Sequence, residues 1–200
     1  MTTWLHDQRF AGVRAALEAA GARSVLDLGC GAGDFLLPLT AEPWLDRIIG
    51  VEQASAALEQ LKSRLACLPH PRQTKVTLVE GSLLEDRGLT ATVDAAIMIE
   101  VIEHLDPAQL SVLERVLFVR LAPDLVILTT PNADFNPLLG VPANRMRHPG
   151  HRFEWGRARF RLWAGRVAER NGYGVGMQDL GGAHPSLGGA SQMAVFTRKS

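Results

Sequence analysis

Cysteine is scarce in this sequence: Cys30 and Cys67 are the only two. That is too few for a disulfide scaffold and suits a reducing compartment, so a cytoplasmic location is expected. No run of about 18 uninterrupted apolar residues is present, which excludes a helical membrane span and leaves no membrane partner. The opening residues, MTTWLHDQRF, lack the basic-then-apolar order of a secretory signal. Internal repeats, low-complexity tracts and long linkers are missing as well. So is net charge, with 21 basic residues against 21 acidic ones. The balance does not hold locally. Residues 143–170 carry eight arginines against Glu154 and Glu169, a segment charge of +6 that the remaining chain offsets.

What is present is a chain of 200 residues, 46% hydrophobic and 21% charged, long enough for one domain with a real core. An amphipathic segment, Trp4 to Ala20, opens it within a helical region expected over 1–22. Short apolar runs then alternate with helical patterns. The runs are Val25–Leu28, Ile48–Val51, Val76–Val79, Ala95–Ile99 and Leu125–Thr129; the helical patterns include Ser55–Leu65 and Pro107–Val119. Asp106 is the expected N-cap of the latter and Pro107 its first helical residue. Continuous apolar runs read as strands buried on both faces, and their alternation with helices predicts an α/β fold around a doubly wound, mostly parallel sheet. After a helix over Arg157–Asn171, Gly174–Met177 and Met193–Thr197 follow with no helix between them. Two such strands predict an antiparallel hairpin at the sheet edge.

The segment VLDLGCGAGDF runs from the first strand into a helix expected to start near Gly33. Gly29, Gly31 and Gly33 let the backbone turn tightly and approach a ligand. Glu52 ends the second strand, where an acid accepts hydrogen bonds from the ribose hydroxyls of an adenosine cofactor. A pyrophosphate would need a positive seat at the helix start. Asp27 and Asp34 make a poor one, and acid there suits the amino group of S-adenosylmethionine. The string D-L-G-C-G-A-G resembles motif I of class I methyltransferases, and Gly81-Ser82-Leu83 resembles their adenine-contacting segment. The cofactor set is therefore expected to be Asp27, Gly29, Gly31, Gly33, Asp34, Glu52, Ser82, Leu83 and Ile99, the last at the end of the fourth strand. Cys30 reads as a small packing residue.

Glu100, Glu103 and His104 follow the fourth strand, at the strand ends where open α/β sheets bind ligands. On a helical turn, positions i, i+3 and i+4 share a face. Two carboxylates so close repel unless a cation or a shared proton compensates. A divalent ion is one solution; in other methyltransferases a similar string holds substrate or caps a helix. His148 and His151, in a Gly/Pro-bearing loop, supply imidazoles that are expected to fold back over the strand ends.

Four strings together are more specific: E-V-I-E-H, T-P-N-x-x-x-N, R-H-x-x-H-x-F-E-W-x-R-x-x-F-x-x-W-A and S-Q-M-A-V-F. They resemble the catalytic domain of the small-RNA 3′-terminal ribose 2′-O-methyltransferases (the Hua-enhancer type, with bacterial RNA-repair relatives) over roughly Ser24 to Arg198. The resemblance implies a class I, Rossmann-like fold with a seven-stranded sheet, in one methyltransferase domain over 1–200 with a substrate and metal insert at 131–165. It implies that Glu100, Glu103, His104 and His151 are the catalytic residues and hold Mg²⁺ or Mn²⁺. A mixed nitrogen and oxygen set favours Mn²⁺. His148 falls at a less constrained position and is left out as a ligand. The sequence departs from the family at Glu52-Gln53-Ala54, where Asp-x-Ser is usual, and at Gly150 and Gly156, which replace a common aspartate and threonine and are expected to loosen the loop.

The implied substrate is an RNA 3′ end, single-stranded or a small RNA or tRNA fragment, and a polynucleotide kinase-phosphatase is the implied repair partner. Arg145, Arg147, Arg152, Arg157, Arg159 and Arg161 are expected to track phosphates, and Phe153 or Trp155 to stack on the terminal base. Asn132 is placed with these RNA contacts, while Phe160 and Trp163 read as core. The competing readings are a metal-independent O-methyltransferase acting on a small molecule and a cofactor-binding RNA adaptor without turnover.

Overall fold

The computed structural model describes residues 4–85 and 92–199; the ends of the 1–200 domain reading lie outside them. The chain opens with α1 (Trp4–Ala19), then β1 (Ser24–Leu28), α2 (Leu36–Leu39), β2 (Arg47–Glu52), α3 (Ser55–Ala66), α4 (His70–Gln73), β3 (Val76–Glu80) and β4 (Ala95–Ile99). It continues with α5 (Leu110–Glu114), β5 (Leu125–Pro131), α6 (Arg157–Asn171), β6 (Tyr173–Leu180) and β7 (Ser191–Arg198). The strands form one seven-stranded sheet in the order β3-β2-β1-β4-β5-β7-β6. The first five pair in parallel, whereas β7 inserts antiparallel between β5 and β6. The order reverses at β1 and β4, which opens a crevice beyond their carboxyl ends.

Burial explains the apolar runs. Every residue of β4 (AAIMI) and of β5 (LVILTTP) is buried, because helices cover both sheet faces. On one face Phe160, Ala164 and Val167 of α6 pack with Met98, Leu128 and Phe196. That i, i+4, i+7 spacing is one stripe of a helix. On the other face Val13 and Leu17 of α1 join Leu61 of α3, Ile97 and Ile127. Among the described residues no helix is long and apolar enough to cross a membrane.

Two local expectations are corrected. The helix after the glycine-rich turn starts at Leu36 rather than near Gly33, because Gly33 sits at φ +85°, outside the helical region. The expected helix over Pro107–Val119 is three short pieces: a 3₁₀ turn over Pro107–Gln109, α5, and a π-helical stretch over Arg115–Leu121. Ala122, left-handed at φ +41°, ends it just before Pro123. The cap at its start is as expected. Asp106 accepts from Ala108 N–H, and the Gln109 side chain accepts from Asp106 N–H.

At the edge of the sheet the buried Tyr173 hydroxyl donates to the Pro123 carbonyl at 2.6 Å, tying β6 to the turn before β5. Tyr173→Phe leaves that carbonyl unpaired and should lower stability by about 1–2 kcal/mol. Urea unfolding checks this through a reduced midpoint at unchanged slope.

Candidate active site

The crevice at the β1 and β4 ends is a cavity of about 360 Å³, lined among others by Gly29, Glu52, Gly81, Leu83, Glu100 and His104. Gly29, Gly31 and Gly33 all have positive φ, from +54° to +85°. At Gly29 the constraint is also steric, since a Cβ there would lie 2.9 Å from Val101 Cγ2. Glu52 braces this loop: one carboxylate oxygen accepts from Gly31 N–H at 2.9 Å and the other from Ala54 N–H at 2.8 Å. Asp27 is buried beneath the loop with Oδ2 unpartnered. Burial, and then the charge of Glu52, push its carboxyl up to about 7.

Of the cofactor candidates Gly29, Glu52 and Leu83 line the cavity, whereas Asp27, Gly31, Gly33, Asp34, Ser82 and Ile99 do not. Asp34 is exposed and pairs with Arg64 of α3 at 2.6 Å, so its charge is turned outward. The Ser82 Oγ accepts from Leu84 N–H and holds a turn between lining residues. The Ile99 side chain is in the core beside Ile97.

Glu100 and Glu103 are held by consecutive threonines of β5. Thr129 Oγ1 donates to Glu100 Oε1 at 3.0 Å, and Thr130 Oγ1 donates to Glu103 Oε2 at 3.1 Å. Glu100 does not share a helical turn with the other two, contrary to expectation. It is left-handed at φ +55°, and the 3₁₀ turn starts at Ile102. Such strain in a non-glycine residue persists only where surrounding bonds overdetermine it. Here its N–H donates to both Thr129 oxygens. Burial raises the Glu100 carboxyl, opposed by Arg9, whose guanidinium lies 3.6 Å away. Glu103 is fully buried and is pushed well up, by burial first and then by the charge of Glu100. Its Oε1 has no partner.

The loop carrying His151 is sewn to this turn, because Arg152 N–H and Phe153 N–H donate to the Glu103 carbonyl. His104, His148 and His151 thereby converge, with one ligand atom of each within 4.8 Å of the others; His148, left out of the expected ligand set, belongs to this group, whereas Glu100 and Glu103 do not. Their partners differ. His151 Nδ1 lies 2.5 Å from the Glu154 carboxylate, and His104 Nδ1 lies 3.2 Å from the Gly150 carbonyl. Both acceptors place the proton on Nδ1 and leave Nε2 as a free lone pair. In His148 the Nδ1 accepts from Gly150 N–H, so the neutral ring carries its proton on Nε2. Burial and the neighbouring His151 lower the pKa of His104. At Gly150 a Cβ would lie 3.0 Å from His148 Nδ1 and 3.3 Å from His104 Nδ1, so a side chain there would press on both rings. At Gly156 a Cβ would collide with the Asp134 carboxylate, which caps α6 by accepting from Arg157 N–H.

Four expected RNA contacts are structural instead. Asn132 is fully buried, donating to the Leu187 and Gly189 carbonyls and accepting from Asp134 N–H. The Arg147 guanidinium is consumed by Asn136 and by the Ala190 and Asn132 carbonyls. Arg157 pairs with Asp179 at 3.1 Å, and Trp155 is 5% exposed, stacked on Phe153 and beneath Arg159. Arg152 is exposed and Phe153 half-buried. Sequence reading missed Arg9, Thr129, Thr130 and Glu154. The i, i+3 spacing of His151 and Glu154 was the one available signal for the last.

Asp27 makes stability depend on pH. Its folded value of about 7 lies above its ordinary 3.8, so between the two the folded chain binds the extra proton. Its contribution to stability is greatest near pH 4 and is lost as pH rises through about 7. Asp27→Asn should flatten this fall, seen as a melting temperature that varies less from pH 5 to 8 than that of the parent chain.

A family model described as a methyltransferase domain matches residues 26–124. The methyltransferase domain of bacterial CtHen1-C superposes with a TM-score of 0.88 at 38% identity, covering 98% of this chain and 100% of that one. A crystal structure of the small RNA methyltransferase HEN1 gives 0.88 at 31% identity, covering 97% of this chain and 25% of that one. The mouse (Mus musculus) small RNA 2′-O-methyltransferase is 35% identical over 97% of this chain and 51% of its own length. The chain thus spans about half the length of that curated relative. A class I methyltransferase sheet, the glycine-rich crevice and these matches over nearly the whole chain make it a member of the small RNA 2′-O-methyltransferase (Hen1) family, to whose methyltransferase domain it corresponds.

Proposed function

We propose that the chain transfers a methyl group from S-adenosylmethionine to the 2′-hydroxyl of the 3′-terminal nucleotide of RNA. The observation that carries this reading is that Glu100 and His104 line the cofactor crevice together, and His104 also belongs to the imidazole cluster. Donor and acceptor oxygen are then presented to each other in one confined space, the alignment that transfer needs.

The three imidazoles, with the two acids on the adjoining turn, suit a divalent cation by donor chemistry. Glu103 has a buried oxygen without a partner, and His104 and His151 each keep Nε2 free. Glu100, Glu103, His104 and His151 would hold Mg²⁺ or Mn²⁺, with the mixed donor set favouring Mn²⁺. When bound, the ion would supply a Lewis acid that makes a ribose hydroxyl more acidic. The protein's own groups do the remaining work. Glu154 fixes the tautomer of His151, the Gly150 carbonyl that of His104, and His148 presents an Nε2–H donor beside them. The 131–165 segment then serves as the substrate-side insert, with the exposed Arg152 and the half-buried Phe153 as its contacts.

The test uses labelled S-adenosylmethionine and short RNAs ending in a 2′,3′-diol, a 2′-deoxy sugar or a 3′-phosphate, with Mn²⁺ or EDTA. Label is expected on the diol alone and only with Mn²⁺. Equal labelling of all three ends contradicts the terminal-diol reading, and EDTA-resistant transfer to a small molecule favours the metal-independent alternative. Glu154→Gln should lower transfer about 10- to 100-fold, as loss of a carboxylate that orients a ligating histidine does. Excess Mn²⁺ should restore part of it.

A further inference from the structure

The exposed arginines do not all serve the terminal nucleotide. Next to the cluster lies a second depression of about 730 Å³, within the size range of ligand sites. Val141, Pro142, Met146 and Phe153 make its wall apolar, and Arg145 and Arg159 also line it. Phe153 and Trp155 stack with centroids 4.4 Å apart, and the Arg159 guanidinium carbon lies 5.1 Å from the Trp155 ring centroid. The indole Nε1–H of Trp155, buried at this wall, has no partner. The Arg145 and Arg152 side chains make no hydrogen bond or ion pair among the described residues. The acid lining the depression is Glu154, whose oxygens are already taken by Asn136 Nδ2, Arg147 N–H and His151.

We infer that this depression is the subsite for the nucleotide preceding the terminal one in a single RNA strand. Its base would lie against Phe153 and Met146, and the flanking phosphates on Arg145 and Arg159. Three observations favour nucleic acid over an apolar peptide. Two guanidiniums without carboxylate partners border the apolar wall. The one acid is internally satisfied. The chain segment 151–154 joins the two places, supplying His151 to the cluster and Phe153 to the depression. Aromatic contact with guanidinium on the backbone is how single strands are held without sequence preference. The inference rests on reading the chain as an RNA methyltransferase and adds where the strand runs.

The test measures anisotropy of a 5′-fluorescein single-stranded RNA 9-mer with the parent chain, with an Arg145→Ala/Arg159→Ala variant, and with Arg23→Ala. Arg23 lies at the opposite, amino-terminal end of β1 and controls for bulk charge. The double variant is expected to weaken Kd about tenfold or more, as lost charged hydrogen bonds do, and to raise KM for the 9-mer in parallel. The slope of log affinity against log salt should shrink by about 1.4, from roughly 0.7 per phosphate contact removed. Arg23→Ala should change none of these. A double variant that binds and methylates RNA like the parent, or an equal loss in Arg23→Ala, overturns the subsite and leaves the methyltransferase reading standing. Groove-dependent binding without methyl transfer to any RNA end overturns that reading and with it the assignment to the penultimate nucleotide, leaving only a single-strand groove. A parent chain with no affinity for the 9-mer overturns the subsite.

Discussion

Glu100 and Glu103 impose the constraint on which the rest of the site depends. Two carboxylates at the end of β4, one of them fully buried with an oxygen that nothing satisfies, are unfavourable as they stand. Arg9, Thr129 and Thr130 offset part of that cost, and Glu103 is still pushed well above its ordinary range. A buried, half-satisfied acid at a crevice is a candidate functional group. The left-handed backbone of Glu100 points the same way, since strain of this kind gathers where geometry is being held for chemistry.

The fold supplies that geometry at little local expense. Parallel β1, β4 and β5 end side by side, so one crevice receives the glycine-rich turn, the acidic turn and the threonines. The loop before α6 then brings His151 across by bonding to the Glu103 carbonyl. Its own shape is kept by a buried polar net: Arg147 joins Asn132, Asn136 and Ala190, and Glu154 joins Asn136, Arg147 and His151. Nearly all of this net's buried members are paired, the condition under which polar cores rigidify a site.

Much of this was legible beforehand. Continuous apolar runs such as Ala95–Ile99 and Leu125–Thr129 became central strands because burial on both faces leaves no alternation to read. The helix over Arg157–Asn171 was visible from its spacing, and β7 from an apolar run with no helix before it. What failed was deciding which polar residues of the 131–165 loop face solvent. Asn132, Arg147 and Arg157 are chemically suited to phosphate, yet each is spent on backbone carbonyls or an acid, which residue type and spacing do not reveal. The aromatic pair divided for the same reason: Phe153 stays half-exposed while Trp155 is buried beneath Arg159. Which nitrogen His104 and His148 present was likewise invisible, because it is set by whether Nδ1 meets the carbonyl or the N–H of Gly150.

The central claim, a cation seated between the Glu100/Glu103 pair and the Nε2 atoms of His104 and His151, is tested most directly by titrating Mn²⁺ into the chain. Free Mn²⁺ is followed by electron paramagnetic resonance in the absence of RNA. The account predicts one site per chain, lost in Glu103→Gln and in His151→Ala but kept in His148→Ala. Failure of the parent chain to bind Mn²⁺, or equal binding by Glu103→Gln, would contradict it.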